Sequence, residues 1–171
     1  MFRSVFSRRR NGQNNMIRIT FVCYGNICRS PMAEFLFKDL IKEKGVSEEF
    51  SVNSAATSSE ELGNPVYPPV KKILDRMGLD CSRKRARKLV AADYDKADYF
   101  IAMDNRNVRD IKRIFGGDSG NKVKRLLDFA GEDKDVADPY WTGNFEEAFC
   151  DIVRGVNALY SFFKPNDKTD V

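Results

Sequence analysis

Short apolar runs alternate along the chain with longer segments in which apolar residues recur every three or four positions. The short runs are rich in β-branched and aromatic residues, as buried strands are. They predict strands at 16–22, 50–57, 97–103 and 122–127. The helical periodicity predicts helices that follow Pro31, span 70–77, follow Asp104 and span 145–163. The last of these has the most pronounced amphipathic pattern.

Strands that alternate with helices predict βαβ units and therefore the α/β fold class. We expect a single domain with a central four-stranded parallel sheet flanked by helices. The pattern assigns this domain to 16–163, between an N-terminal extension at 1–15 and a C-terminal tail at 164–171. In such sheets ligands bind at the carboxyl ends of the strands. Cys23 directly follows the first predicted strand and should lie there.

Length and composition suit one globular domain. The chain has 171 residues, of which 42% are hydrophobic. No apolar run approaches the roughly 18 residues that a membrane-spanning helix needs, so we expect no membrane partner. Four cysteines, at 23, 28, 81 and 150, are too few and too scattered for a secreted disulfide framework. They indicate a reducing compartment, the cytoplasm.

The positive charge is concentrated at one end of the chain. The formal net charge is +4, and residues 1–15 hold four arginines and no acidic residue. Without that segment the basic and acidic residues are equal in number, which argues against nucleic-acid binding by the domain. The segment resembles an organelle transit peptide in composition. A basic, disordered extension, or a true start at Met16, is the simpler explanation and our expectation.

Histidine is absent from the chain. Its absence excludes Ser/His and Cys/His nucleophile pairs, phosphohistidine carriers and His-ligated metal sites. Any catalysis must therefore use the side chains of Cys, Asp, Glu, Arg, Lys, Tyr or Ser.

The segment from Cys23 to Arg29 joins the first strand to the first helix. Ser30 is a favourable N-cap and Pro31 a favourable first residue, so we expect the helix to begin there. A helix N-terminus offers unpaired N–H groups to an anion, and Gly25 gives the loop freedom to curl. The guanidinium of Arg29 matches two phosphate oxygens. We expect Cys23 to be largely a thiolate at neutral pH, with Ser30 donating a hydrogen bond to it.

A thiolate at the base of a phosphate cradle is placed for in-line attack on phosphorus. The product would be a phosphocysteine, which water hydrolyses in a second step. This sequence of steps needs a general acid and then a general base, and a carboxyl group must serve where histidine is absent. Asp138, followed by Pro139 in a polar loop, is the best candidate. Tyr140 and Trp141 could form walls for a ring-bearing substrate.

Two simpler interpretations of the cysteines stay open at this level. Cys23 could be a buried structural cysteine, which is the usual role of this residue. Cys23 and Cys28 could instead be metal ligands, but no second close pair and no histidine completes such a site. We therefore expect no metal and no cofactor.

The stretch "VCYGNICRSPMAE" resembles the signature of the low-molecular-weight protein tyrosine phosphatases. "DPYWTG" resembles the acid loop of that family, and "NSAATS", "ELGNP" and "AMD" occur in the family's order. The resemblance covers Met16 to Phe163. It implies a small α/β domain without metal that hydrolyses phosphotyrosine in proteins or peptides, and small aryl phosphates, as a monomer.

The resemblance also implies a role for each site residue. Cys23 becomes the nucleophile, Arg29 the ligand of phosphate and of the transition state, and Asp138 the general acid and base. Asn26, Ser30 and Ser54 become supports of the loop, and Cys28 becomes a redox partner that forms a reversible disulfide with Cys23. The phosphate-binding loop then comprises Tyr24, Gly25, Asn26, Ile27, Cys28, Arg29 and Ser30. The mouth of the site comprises Glu60, Tyr140 and Trp141.

Two positions depart from the family pattern, and other activities compete. Glu60 stands where many relatives have an aromatic residue, and Lys84 stands near a supporting histidine of the family. Some relatives act on phosphoarginine and have a small threonine where this chain has Ile27, which favours the tyrosine type. Arsenate reduction would need a cysteine relay, for which Cys81 has no partner shortly downstream. Outside the enzymes, the alternative is a thiol redox switch or a module that binds phosphopeptides without turning them over.

Overall fold

Four parallel strands form the central sheet of the computed structural model, which describes residues 16–167. The strands are β1 (Ile17–Cys23), β2 (Phe50–Ala56), β3 (Tyr99–Ala102) and β4 (Val123–Arg125). Their order across the sheet is β2-β1-β3-β4, and every neighbouring pair is parallel. The predicted α/β fold class with a four-stranded parallel sheet is confirmed. The expectations for 1–15 and 168–171 lie outside the described residues.

Helices cover both faces of this sheet. They are α1 (Arg29–Glu43), α2 (Pro68–Arg76), α3 (Asn105–Phe115), α4 (Pro139–Thr142) and α5 (Phe145–Phe163). Phe21 and Ile101 pack into the larger hydrophobic cluster, with residues of α1, α2 and α5. Their neighbours in the strands, Val22 after Phe21 and Phe100 before Ile101, pack on the opposite face of the sheet with Ile111 of α3. The alternation explains why the strands read as continuous apolar runs.

The first helix begins earlier than the capping residues suggest. It begins at Arg29, with Cys28 at the capping position and no side-chain capping bond. The prediction that Ser30 caps this helix and that Pro31 is its first residue is therefore wrong. The hydroxyl of Ser30 instead lies 3.0 Å from the sulfur of Cys23 and accepts a hydrogen bond from Asn26 Nδ2 at 2.9 Å. The curl of the preceding loop turns this hydroxyl inward.

The region after β4 also differs from the prediction. The expected fourth strand at 122–127 ends at Arg125, and Leu126–Ala130 form a 3₁₀ turn. The polar loop expected around Asp138 contains the short helix α4. Asp138 caps that helix by accepting a hydrogen bond from the amide of Tyr140, and Gly143 ends it with a φ of 69°.

The first residues of the expected C-terminal tail contact the domain. The ammonium of Lys164 donates a hydrogen bond to the carboxylate of Glu49, and the hydroxyl of Tyr160 donates one to Asp167. Between residues 16 and 167, none of the helices has the length and apolar content needed to cross a bilayer.

The strand order sets the position of the site. Chain connections run to opposite sides from β1 and β3, which are neighbours in the sheet, and such a switch point opens a crevice at the carboxyl ends of the strands. Cys23 is the last residue of β1, and Asp104 follows β3 by two positions. A thiol and a carboxylate therefore meet at the crevice.

Candidate active site

The loop between β1 and α1 curls around the sulfur of Cys23. The backbone amide of Asn26 donates a hydrogen bond to that sulfur at 3.3 Å, and the hydroxyl of Ser30 lies 3.0 Å from it. Cys23 is buried, yet it lines the floor of an open cleft. Its sulfur is thus enclosed by hydrogen-bonding groups on the protein side and accessible from the cleft side.

Asn26 holds the loop in this curl. Its φ is 57°, in the left-handed region that asparagine tolerates better than most residues. The side chain is buried and fully used: Nδ2 donates to Ser30 at 2.9 Å and to Ser54 at 2.8 Å, and Oδ1 accepts from the amide of Arg87 at 3.1 Å. These bonds tie the loop to β2 and to the basic segment 82–88, so they stabilise a backbone conformation that is otherwise costly.

A buried polar group supports the loop from behind. The hydroxyl of Ser54 donates a short hydrogen bond to the carboxylate of Glu34 on α1. The ammonium of Lys84 donates to the carbonyl of Ser54 at 3.2 Å and lies 3.4 Å from Glu34. Burial lowers the pKa of Lys84, against the opposing charge of Glu34. Lys84 and Asn26 therefore both form hydrogen bonds with Ser54.

The guanidinium of Arg29 joins three parts of the chain. Its Nη1 donates to Asp104 at 2.7 Å and to the carbonyl of Val136 at 2.9 Å, and its Nη2 donates to Asp138 at 3.2 Å. The side chain is only 3% exposed. Burial alone would lower the pKa of Arg29, but nearby Cys23 and the two carboxylates outweigh it and raise the pKa. The cation is thus fixed in position and in charge.

Asp138 lies at the edge of the cleft, at the N-terminus of α4. One carboxylate oxygen accepts from the amide of Tyr140 at 3.1 Å and the other from Arg29. The next two side chains, Tyr140 and Trp141, are 68% and 79% exposed. Their rings meet nearly at right angles with centroids 5.1 Å apart. They form one wall of a cleft of about 670 Å³.

Another part of the cleft lining is charged. The hydroxyl of Tyr24 donates to Glu60 at 2.5 Å, and the guanidinium of Arg106 lies over the Tyr24 ring at 4.7 Å. The hydrogen bond to Glu60 raises the pKa of Tyr24. Glu61 also lines the cleft, and its Cγ would lie 3.2 Å from a Cβ added at Gly25. The glycine therefore leaves room for this acidic wall.

All thirteen sequence-predicted site residues fall at or directly behind this one cleft. The lining includes Cys23, Tyr24, Gly25, Ile27, Cys28, Arg29, Glu60, Asp138, Tyr140 and Trp141. Asn26, Ser30 and Ser54 form the hydrogen-bonded layer behind the floor. Cys28 is a free thiol, and burial together with the nearby charges of Cys23 and Asp138 raises its pKa.

Sequence reasoning missed several residues of this site. The pattern marks Asp104 only as the start of a helix, although this residue follows a buried strand just as the loop of Cys23 does. Glu34 lies four residues after Ser30, on the same face of α1, and an acidic residue on a buried face is a signal that could have been used. Nothing in the pattern distinguished Arg87 or Arg106 from the other basic residues around them.

Comparison with known proteins gives a consistent family. The model of the family described as low molecular weight phosphotyrosine protein phosphatase matches residues 18–168. The low molecular weight protein-tyrosine-phosphatase YfkJ of Bacillus subtilis is 42% identical over 142 residues, which cover 81% of this chain and 90% of YfkJ. PtpA of Staphylococcus epidermidis is also 42% identical, over 78% of this chain and 85% of its own length.

Solved structures agree with the sequence relatives. The crystal structure of Bacillus subtilis YfkJ superimposes with a TM-score of 0.85 at 39% identity, covering 92% of this chain and all of YfkJ. The Drosophila arginine phosphatase DARP superimposes with a TM-score of 0.80 at 27% identity, covering 88% of this chain and all of DARP. The fold is therefore shared with phosphatases named for two different phosphoresidues.

Proposed function

The chain belongs to the low-molecular-weight protein tyrosine phosphatase family of phosphoric monoester hydrolases, and we propose that it hydrolyses phosphotyrosine through a phosphocysteine intermediate on Cys23. The proposal extends to phosphotyrosine in proteins and peptides and to small aryl phosphates. The observation that carries it is the meeting of three groups at one cleft: Cys23 on its floor, and Arg29 joined to Asp138 at 3.2 Å.

Substrate binding uses the curled loop and the buried guanidinium. A phosphate group that enters the cleft meets the amides at the N-terminus of α1 and the planar fork of Arg29. Because Asp104 and the carbonyl of Val136 hold Nη1, the fork does not have to be ordered when the phosphate arrives. Preorganised donors of this kind stabilise the charge that develops on the transferring phosphoryl oxygens.

The first chemical step transfers the phosphoryl group to the enzyme. The sulfur of Cys23 attacks phosphorus, and the bond between phosphorus and the phenolic oxygen breaks. Asp138 in its protonated form gives its proton to the leaving phenolate. The hydrogen bonds from Ser30 and from the amide of Asn26 stabilise the thiolate before attack.

The second step regenerates the thiolate. Asp138, now a carboxylate, takes a proton from a water molecule, and that water attacks phosphorus from the side that the phenol has left. The bond between sulfur and phosphorus breaks and inorganic phosphate departs. Arg29 contacts the phosphoryl oxygens through both steps, so its contribution is to the transition states as well as to binding.

Two features support phosphotyrosine over phosphoarginine. The exposed rings of Tyr140 and Trp141 flank the cleft and can pack against a phenyl ring. Ile27 fills the position on the floor where a smaller residue would admit a second nucleophile near phosphorus. We further propose a cytoplasmic monomer that acts on phosphoproteins.

The test is phosphate release from matched phosphotyrosine, phosphoserine and phosphoarginine peptides, with EDTA present. We expect release from phosphotyrosine alone, its loss in Cys23→Ser, and an acid-trapped phosphoenzyme in the wild type. A preference for the phosphoarginine peptide would leave the proposed mechanism intact and overturn the proposal that phosphotyrosine is the substrate. A reactive Cys23 thiol in a protein that releases phosphate from none of the peptides would overturn the proposed phosphatase activity. It would favour the thiol redox switch or the phosphopeptide-binding module.

A further inference from the structure

The loop that precedes Asp138 is held by an arginine outside the cleft. Arg125, the last residue of β4, has a side chain that is only 9% exposed and contacts three carboxylates. Its Nη2 donates to Asp128 at 2.7 Å and to Asp133 at 2.6 Å, and its Nη1 donates to Asp135 at 3.0 Å. We call these four side chains the clasp. The same oxygen of Asp135 accepts from the amide of Asn105, the first residue of α3.

A second set of ion pairs holds the same loop to α5. Glu132 pairs with Arg154 at 2.9 Å, and Lys134 pairs with Asp151 at 3.0 Å. Arg154 also pairs with Asp151 at 2.7 Å. Residues 132–135 are thus paired one after another, alternately with α5 and with the end of β4. A loop without regular structure is fixed from two sides.

The held segment leads directly to the catalytic groups. Val136 follows Asp135; its amide donates to the carbonyl of Met103 at 2.9 Å, and its carbonyl accepts from Arg29. Asp138 comes two residues later. A shift at 133–135 therefore displaces the carboxylate that must reach the leaving oxygen, whereas Arg29 is also held by Asp104 at 2.7 Å, outside this segment.

We propose that Arg125 is a positioning residue for the reaction, which through the clasp holds Asp138 within proton-transfer distance of the leaving group. The inference rests on the proposed function and extends it to a residue outside the cleft. Proton transfer requires the carboxyl within hydrogen-bond reach of the leaving oxygen, and a misplacement of about 1 Å can cost on the order of a hundredfold in rate.

Stability alone is a poor reason for this arrangement. The side chains of Asp128, Asp133 and Asp135 are 51%, 99% and 43% exposed, and pairs with exposed partners add about 0 to 1 kcal/mol each. Three carboxylates that converge on one guanidinium also repel one another. The geometry makes more sense as a means of fixing a loop in one place than as a means of stabilising the fold.

The test is a series of aryl phosphates whose leaving groups differ in basicity, applied to Arg125→Gln. A poor leaving group such as phenolate needs the general acid, whereas dinitrophenolate departs almost without it. We expect kcat/KM for phenyl phosphate to fall by about 10- to 100-fold and that for dinitrophenyl phosphate by less than about threefold. The inhibition constant of inorganic phosphate should change by less than about threefold, because Cys23 and Arg29 remain.

Two further variants keep the test decisive. Arg18→Gln removes a comparable arginine fork, paired with Asp98 at the opposite end of the sheet, and should leave the leaving-group dependence unchanged. Asp135→Asn weakens the clasp at its junction with α3 and should show the same selective loss as Arg125→Gln, to a smaller extent. If circular dichroism shows that Arg125→Gln fails to fold, the leaving-group dependence of Asp135→Asn decides whether the clasp positions Asp138.

Equal losses across all leaving groups in the folded variants, or no loss at all, would overturn the positioning role while leaving the phosphatase intact. A wild-type protein that releases no phosphate, or a Cys23→Ser variant that still does, would overturn the proposed function and with it this inference.

Discussion

At the scale of single residues, Glu60 determines the charge at the mouth of the cleft. It accepts the hydrogen bond of Tyr24, whose ring lies under Arg106, and Glu61 stands beside it on the same wall. The sequence resemblance implied an aromatic residue near this position in many relatives. The mouth of this protein therefore combines an aromatic wall at Tyr140 with an acidic one.

Replacing Glu60 by Gln should change the preference for flanking residues. The amide still accepts from Tyr24, but the negative charge that favours a basic neighbour of phosphotyrosine is gone. Exposed charge pairs contribute about 0.2 to 1 kcal/mol, so the ratio of kcat/KM for lysine-flanked over glutamate-flanked peptides should fall by a factor of about 1.4 to 5. Glu43→Gln, at the far end of α1, is the control and should keep the wild-type ratio. An unchanged ratio in Glu60→Gln would contradict the prediction.

The proposed catalytic residues could be singled out in the sequence because they sit in local patterns. Cys23 and Arg29 lie six positions apart between a strand and a helix, and Asp138 lies in a recognisable loop. Asp104 could not be assigned a role, because its contact with Arg29 spans 75 positions and leaves no local signature. The capping role given to Ser30 failed since its hydroxyl is drawn to the sulfur.

At the scale of elements, the loop between β1 and α1 places two free thiols in one cleft. Cys23 is the proposed nucleophile, and Cys28 lies at the capping position of α1. Burial, with neighbouring negative charge, raises the pKa of Cys28, so this thiol stays protonated at neutral pH. Because the thiolate is the form that peroxide oxidises, Cys28 should be slow to react with an oxidant directly.

Mild peroxide should convert this loop to a reversible disulfide. Peroxide oxidises Cys23 to a sulfenic acid with release of water; the thiol of Cys28 then attacks that sulfur and a second water leaves. Intact mass should fall by two hydrogens, and activity should return with dithiothreitol. Cys28→Ser should instead accumulate sulfinic and sulfonic acids at Cys23. A trioxidised Cys23 in the wild type would rule the disulfide out.

The sequence predicted which helices and strands exist better than it predicted the residues at which they begin and end. The longest periodic segment, α5, has the predicted bounds, because its apolar face repeats over nineteen residues. The strand β4 is shorter than predicted since the apolar residues after Arg125 pack as a 3₁₀ turn against α5. The helix α4 has four residues and no apolar period, so only its cap and its proline could have indicated it.

For the whole molecule, the absence of histidine simplifies the dependence of stability on pH. Asp93, Asp98 and Asp118 each have a lowered pKa: burial opposes ionisation, but hydrogen bonds from the backbone and from Arg87, Arg18 and Tyr94 respectively outweigh it. The unfolded chain then binds more protons than the native one below the ordinary aspartate range. Stability is therefore present above that range and is lost as pH falls through the native values.

The free energy of unfolding, measured with urea, should be level from about pH 5.5 to 7.5 and should fall below about pH 4. Asp98→Asn should make the acid limb shallower, because it removes one of the carboxylates with a lowered pKa. A step between pH 6 and 7 would show that another group titrates on unfolding.

The reach of Arg29 has a consequence for the order in which the protein becomes functional as it folds. The loop that surrounds Cys23 closes over seven residues, but the partners of Arg29 lie 75, 107 and 109 positions away. Contacts between distant parts of a chain form late, because they require the loss of much more chain entropy. The site of a newly made chain would thus be completed late, and turnover would begin only when the segment with Val136 and Asp138 has docked on Arg29.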